Sequence, residues 1–565
     1  MRGIEETEKD PGVSGGGIRA GSAAKCAALI TLAVVFTSCF FRYEKEREPN
    51  DSQETAQILS GAKTLKGTIG TGHGFSASDR SFQDVDFFAI PTGKAGGKDL
   101  LAAITVIEKG PFDVVIKLYE GNRVIKVVDD TSGRGEKVVN VLAAAGGRGE
   151  NPEYPRMLFS IEPAAKEQGQ DLPSLKEGSV LSYELDVRTR EREANEEGEP
   201  NDKMARANGV DPTRAVKGFF SPGFNPSSES GVEEDWFSFV LEGTDGAVFH
   251  LSHSAVPNVD SALAIYDELG YLLRESNSRG IGEPEKLKNL ALPGGRYYLR
   301  LASAVPYQQN PQVGYLLKIE KGDGKNRESE PNDRYPSANL LSFFQDTVGT
   351  FNPAGDADWF VMKLYEPGKQ VLTIRVSPTA EIDPVLELYD NSERMVLRVD
   401  DRAKDEGEII KNIGVEQGVY YLKLHERDAQ ADNPDRDYTL VAEKRPWQEE
   451  EEYEKNDSFE SADTFTLGGL KKGYISPAGD RDIYSFHIDR ASRIAVEVTP
   501  VALIDLSIAV YNQQGETVEA VNNGPVEEGE RASMSLPAGT YYLEVAGVNG
   551  KENSRDAYIL RINKG

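Results

Sequence analysis

The sequence predicts an all-β chain of four tandem β-sandwich modules behind an N-terminal signal segment, and three observations predict it. An acidic phrase returns four times, as Glu46-Arg-Glu48-Pro-Asn50-Asp51, Glu197-Gly-Glu199-Pro-Asn201-Asp202, Glu328-Ser-Glu330-Pro-Asn332-Asp333 and Glu452-Tyr-Glu454-Lys-Asn456-Asp457. Counted on the second Glu, the copies stand 151, 131 and 124 residues apart, each interval the length of one domain. Between them run short apolar–polar alternations broken by Gly and Pro turns, with almost no helical periodicity.

At 565 residues the chain is too long for one core, and its length agrees with four domains. Acidic residues outnumber basic ones 93 to 64, for a net charge of −29, so no nucleic-acid partner is expected. Residues 1–38 hold four basic side chains (Arg2, Lys9, Arg19, Lys25) and four acidic ones (Glu5, Glu6, Glu8, Asp10), so the imbalance belongs to the modules. The two cysteines, Cys26 and Cys39, precede the first module, so no disulfide braces any module.

The leader comes first. Arg19 and Lys25 precede an uncharged run over 26–36, followed by Thr37-Ser38-Cys39. Eleven helical residues span about 16 Å, roughly half a bilayer core, which marks a signal h-region and not a stable anchor. The segment resembles a bacterial lipoprotein signal peptide, which implies removal of residues 1–38 and attachment of diacylglycerol and palmitate at Cys39. Phe36 stands where Leu is usual, which leaves open a cut elsewhere or an uncleaved anchor over 26–41. The Gly-rich, partly acidic lead before Arg19 leaves open a start downstream of Met1.

Within each module a second acidic turn follows the phrase, ahead of an aromatic strand: Asp84-Val-Asp86, Glu233-Glu-Asp235, Asp356-Ala-Asp358 and Asp480-Arg-Asp482. The first two modules carry longer loops before it, over 70–83 and 221–232. Period-two alternation predicts strands over 371–376 and 494–498. Strands opening on Asp follow over 113–119, 260–266, 383–389 and 505–511, each ending in a turn and a return strand, hence a hairpin. Paired tyrosines come next (Tyr297-Tyr298, Tyr420-Tyr421, Tyr541-Tyr542), one ring of each pair facing inward and one outward. Closing strands open at Tyr315, Tyr438 and Tyr558. The first module is the most divergent: 154–161 replaces the Tyr-Tyr phrase, and a polar insertion lies between Ala164 and Ser179. The expected modules are 39–190, 191–321, 322–446 and 447–565.

Three carboxylates and an amide within six residues repel one another unless a cation sits among them. Calcium, which takes six to eight hard oxygens, is the ion that such a set suits.

The ordered set Glu-x-Glu-Pro-Asn-Asp, Gly-Asp-x-Asp-aromatic, Asp-x-x-Leu-x-Leu-Tyr and Pro-Ala-Gly-Thr-Tyr-Tyr resembles the bacterial pre-peptidase C-terminal domain, a relative of the collagen-binding domains of clostridial collagenases. The likeness covers nearly all of the chain from Glu46 onward. It implies a jelly-roll-like β-sandwich that binds calcium near its N-terminal linker and usually accompanies a secreted peptidase, although no peptidase precedes the modules here. By the same resemblance the calcium ligands are Glu46, Glu48, Asn50, Asp51, Asp84 and Asp86 in the first module. In the second they are Glu197, Glu199, Asn201, Asp202, Glu233 and Asp235, with Glu233 in place of Asp. The third offers Glu328, Glu330, Asn332, Asp333, Asp356 and Asp358. The fourth offers Glu452, Glu454, Asn456, Asp457, Asp480 and Asp482, with Lys455 where the others have Pro. Ions held at the linkers would stiffen the junctions into a calcium-dependent, rod-like array.

Catalytic signatures are missing. The histidines (His73, His250, His253, His425, His487) form no His-Glu-x-x-His helix, and the modules contain no Gly-x-Ser-x-Gly elbow or P-loop. The expected function is therefore a non-catalytic, calcium-stabilised lipoprotein of the cell envelope, periplasmic or on the outer surface, that binds a protein or polysaccharide. The alternative is a structural accessory to a separately encoded secreted peptidase. A third reading, a cryptic hydrolase, stays open to an activity screen.

Overall fold

β-Branched and aromatic residues at alternating positions give strands almost throughout. The computed structural model describes residues 44–565 apart from 62, 71–84, 92–98, 111–112, 130–135, 144–155, 164–179, 222–231, 244–245 and 307. The leader, Cys39, His73 and Asp84 lie outside the described residues. Glu44–Gly565 forms a single contact unit. Among the described residues the only helical pieces are two short 3₁₀ turns, Met204–Arg206 and Tyr335–Ser337. No described helix is long and apolar enough to cross a membrane.

The strands form eight sheets, two to a module, and the strand order repeats. In the third module one sheet runs Asn339–Leu340, Ala357–Leu364, Gly418–Glu426, Pro384–Tyr389, Met395–Val399. The other runs Asp346–Gly349, Tyr438–Pro446, Gln370–Val376, Ile409–Val415. Every pairing is antiparallel except that of the short first strand, which lies parallel to Ala357–Leu364. The second and fourth modules have the same order, and the first adds Glu44–Lys45 at one edge.

The expected hairpins are present in all four, each with a register shift near its turn. Facing sheets bury one apolar core per module, that of the third including Phe360, Leu372, Ile374, Leu386, Leu422 and Leu440. In the first module Arg156–Pro163 fills the place of the Tyr-Tyr strand. The tyrosine pairs split as expected in the second and fourth modules, where Tyr297 and Tyr541 are buried and their neighbours half-buried; in the third both are half-buried.

Candidate metal centres

The acidic phrase enters each sandwich beside the strand that precedes the Asp pair, and the two acidic segments converge. The peptide bond after the second Glu is cis in all four copies, Lys455 included. Two halves of the cluster can be distinguished.

The inner half is built from the first Glu, the Asn and the second Asp of the pair. In the third module Glu328 accepts from the Thr350 backbone N–H at 2.7 Å, and the Tyr438 hydroxyl lies between Glu328 and Asp358, 2.8 Å from Asp358 Oδ2. Tyr315 stands likewise between Glu197 (2.9 Å) and Asp235 (2.7 Å), and Tyr183 between Glu46 (3.0 Å) and Asp86 (2.7 Å). In the fourth module the Tyr558 hydroxyl pairs with that of Tyr484 at 2.7 Å, while Glu452 accepts from Tyr474 N–H. The ring crosses directly over a glycine. A Cβ on Gly67, Gly218, Gly349 or Gly473 would lie 2.1–2.4 Å from the tyrosine ring carbon and 2.1–2.5 Å from the Glu carboxylate. These tyrosines and glycines were not foreseen as site residues. Their signal was available, because the closing-strand tyrosine falls eighty residues after the second Asp in both the second and third modules.

The Asn is fully buried in every copy. Its backbone N–H donates to the second Glu, at 3.2, 3.1, 2.9 and 3.3 Å along the chain. Its carbonyl accepts from the strand after the Asp pair, at Phe87, Trp236, Trp359 and Ile483.

The outer half comprises the second Glu, the Asp of the phrase and the first residue of the Asp pair. In the second module these are Glu199, Asp202 and Glu233, and the Lys126 ammonium of the first module sits among them. It lies 2.7 Å from Glu199, 3.5 Å from Asp202 and 3.1 Å from Glu233, with none of its side chain exposed. In the third module they are Glu330, Asp333 and Asp356, and Arg274 of the second module reaches all three, at 3.1 Å from Glu330 and 2.5 Å from Asp333. It also donates to the Asn352 carbonyl at 3.1 Å. At two of the four clusters, then, a protein side chain supplies positive charge that the sequence reading assigned to calcium. The Glu233 exception gains a reason as well: the longer carboxylate meets the shorter cation, and Asp356 meets arginine.

Electrostatics follow from burial. Desolvation, then neighbouring carboxylates, push Glu197, Asp235, Glu330, Asp358, Glu452, Glu454 and Asp480 well above the usual carboxylate range, although hydrogen bonds at Glu197, Asp235, Glu452 and Asp480, Lys126 at Asp235 and Arg274 at Glu330 pull partly the other way. Burial opposes the Lys126 charge, but Asp202, Glu199 and Glu233 outweigh it and hold the ammonium well above its ordinary value. One tyrosine hydroxyl carries one proton and cannot satisfy two facing carboxylates at once. The inner half therefore calls for a further proton or a cation.

The donor set fits a hard cation. In the third module Asn332 Oδ1 and Asp358 Oδ1 are buried without a hydrogen-bond partner, and in the fourth Glu454 Oε1, Asn456 Oδ1 and Asp482 Oδ2 are. The amide oxygens of Asn50 and Asn201 face only acceptors; turning each amide lets its nitrogen reach Asp86 at 3.2 Å or Asp235 at 3.1 Å. One oxygen each from Glu46, Glu48 and Asp86, from Glu199, Glu233 and Asp235, and from Glu328, Glu330 and Asp358 lies within 4.8 Å of the others in its group. Exposure separates the copies: Glu48 and Asp51 are exposed, whereas Glu199, Glu330 and Glu454 are buried against the preceding module.

That contact includes backbone. Glu199, Glu330 and Glu454 form parallel bridges to Val141, Leu290 and Ile413 on the edge strand of the module before. Beside each bridge a left-handed asparagine, Asn140, Asn289 or Asn412, marks a break in register. Asn289 Nδ2 donates to Glu328 at 2.7 Å, and Asn140 Nδ2 to Glu197 at 3.2 Å.

Comparison with known proteins gives no matching family model and no similar curated protein. Among solved structures, the pre-peptidase C-terminal domain of collagenase from Bacillus anthracis is 18% identical over 18% of this chain and 93% of that one, with a TM-score of 0.16. The CUB1-EGF-CUB2 domain of human MASP-1/3 is 9% identical over 40% of this chain and 100% of its own, TM-score 0.14. The BSP domain of a biofilm associated protein is 10% identical over 89% of this chain and 96% of its own, TM-score 0.13. The fold assignment rests on the strands themselves.

Proposed function

We propose that the protein is a non-catalytic, calcium-stabilised member of the bacterial cell envelope, tethered by lipid at Cys39, whose pre-peptidase-like sandwiches bind a protein or polysaccharide. The observation that carries the calcium reading is the set of buried, unpartnered oxygens that recurs at one place in the repeat. The inner half supplies a Glu, an Asn and an Asp to the ion, and the second Glu joins from the outer half. Calcium bound there supplies charge compensation. The chain's own residues do the rest: the tyrosine and the backbone N–H fix the first Glu, and the edge-strand bridge holds the second.

The acidic residues are engaged in joining modules, which favours a structural role for them over acid–base chemistry. Ligand contact is assigned to outward aromatic groups on the five-stranded sheets. Tyr335, Trp359, Tyr389 and Tyr421 form one such group, with centroids 5.2–6.4 Å apart, and Phe459, Tyr511 and Tyr542 another, at 4.5 and 5.3 Å. Such rings offer large, rigid contact area. Repetition along one chain raises weak affinity through effective concentration. Glycan-array and matrix-protein binding by the Glu44–Gly565 unit tests this, with Trp359→Ala and Tyr389→Ala expected to weaken retention. Retention unchanged in both variants contradicts the assigned surface, and co-purification with a protease alone moves the function to the accessory role.

A further inference from the structure

Lys126, Arg274 and Leu397 occupy one structural position. Each lies on the return strand of its hairpin, in register with Leu118, Ile265 and Leu388 of the preceding strand. Each faces the outer half of the next module's acidic cluster. Lysine and arginine fill the second and third clusters. Leucine cannot.

At the fourth cluster Leu397 instead borders a cleft of about 280 Å³, shared with Glu454, Asp457 and Asp480. Two of the three basic residues at its rim are engaged elsewhere, and the third, Lys455, meets Asp457 of the outer half but neither Glu454 nor Asp480. Arg398 pairs with Glu387 and with Asp400 (2.9 Å), Lys411 lies over the Tyr474 ring at 4.6 Å, and Lys455 is 3.8 Å from Asp457. Among the described residues no ion pair reaches Glu454, Asp480 or Asp482. Glu454 Oε1, buried and at the contact of the two halves, has no hydrogen-bond partner.

We propose that this one strand position decides how the outer half of the following cluster is neutralised: by a resident lysine or arginine at the second and third modules, and by a divalent cation beneath Leu397 at the fourth. The proposal rests on the calcium reading given above and adds to the inner-half ions one further ion, in the outer half of the fourth cluster. The chain thus carries junctions whose outer half is locked without metal and one whose outer half is locked by it.

Calorimetric calcium titration of the Glu44–Gly565 unit, with melting in calcium and in chelator, tests it on three proteins. Leu397→Lys places an ammonium in the cleft and is expected to bind one ion fewer per chain than the unaltered protein. Arg274→Leu frees the third cluster and is expected to bind one ion more and to melt several degrees lower in chelator, with calcium restoring the loss. Should Arg274→Leu fail to fold, the lysine variant still decides the question. Calcium binding whose stoichiometry is the same in all three proteins overturns this inference and leaves the calcium reading standing. Binding by none of them overturns both.

Discussion

At the scale of single residues, the cluster depends on small features that leave little trace in composition. Gly349 is required because the Tyr438 ring and the Glu328 carboxylate pack where its Cβ would be. Gly349→Ala is expected to destabilise the chain by about 1–3 kcal/mol through overpacking, read by denaturant unfolding. Tyr438→Phe leaves two buried carboxylates without their shared donor and is expected to cost roughly 1–3 kcal/mol in the same measurement. Arg274→Ala strands Glu330 and Asp356 and is expected to cost roughly 3–5 kcal/mol in chelator. Away from the clusters, burial pushes the His253 imidazole down to about 4, against a smaller opposing hydrogen bond to the Ser254 carbonyl. Its Nε2 accepts the Glu285 backbone N–H at 2.9 Å, which fixes the neutral tautomer. Because the folded value lies below the unfolded one, near 6.5, the unfolded state takes the proton first. Stability held by neutral His253 is complete above about pH 6.5 and falls by up to roughly 3 kcal/mol as pH drops toward 4. An imidazole proton shift that titrates near 6.5 in the folded protein contradicts this burial.

At the scale of strands, each module receives its successor on an edge. Bridges at Val141, Leu290 and Ile413 continue a sheet by one residue, and side chains then complete the junction. The third-to-fourth junction adds Arg402, 3.3 Å from Glu552, and an Ala478 N–H donated to Asp401 at 2.9 Å. Amides of Glu199, Glu330 and Gly414 are hydrogen-bonded across these junctions and are expected to exchange as slowly as interior strand amides. Fast exchange there, measured by mass spectrometry, means that the edges do not hold. Much of this scale was legible. Strands opening on Asp and the turns behind them located the hairpins, and the repeated phrase located the inner and outer acids, since like charges in a fixed pattern need a common cause. The edge bridges were not legible, because an asparagine in left-handed conformation inside a strand looks like any other polar alternation.

At the scale of the whole molecule, one problem recurs at every boundary and has different solutions. Buried anionic oxygens meet lysine, arginine or, by our proposal, calcium. The sequence could reveal the anions, which repeat, but not the resident cations. Lys126 lies 73 and 107 residues from the carboxylates it joins, and its counterparts in the next two modules are arginine and leucine, so no motif connects them. The leader and Cys39 were read from a short local pattern, and lipid extraction followed by mass spectrometry of the N-terminal peptide is expected to find an acylated Cys39. The most direct measurement of the central claim is the melting temperature of the Glu44–Gly565 unit in millimolar calcium against chelator. The account predicts a rise of several degrees with calcium, reversed by chelator and not reproduced by equal ionic strength of sodium. Identical melting in both conditions would contradict it.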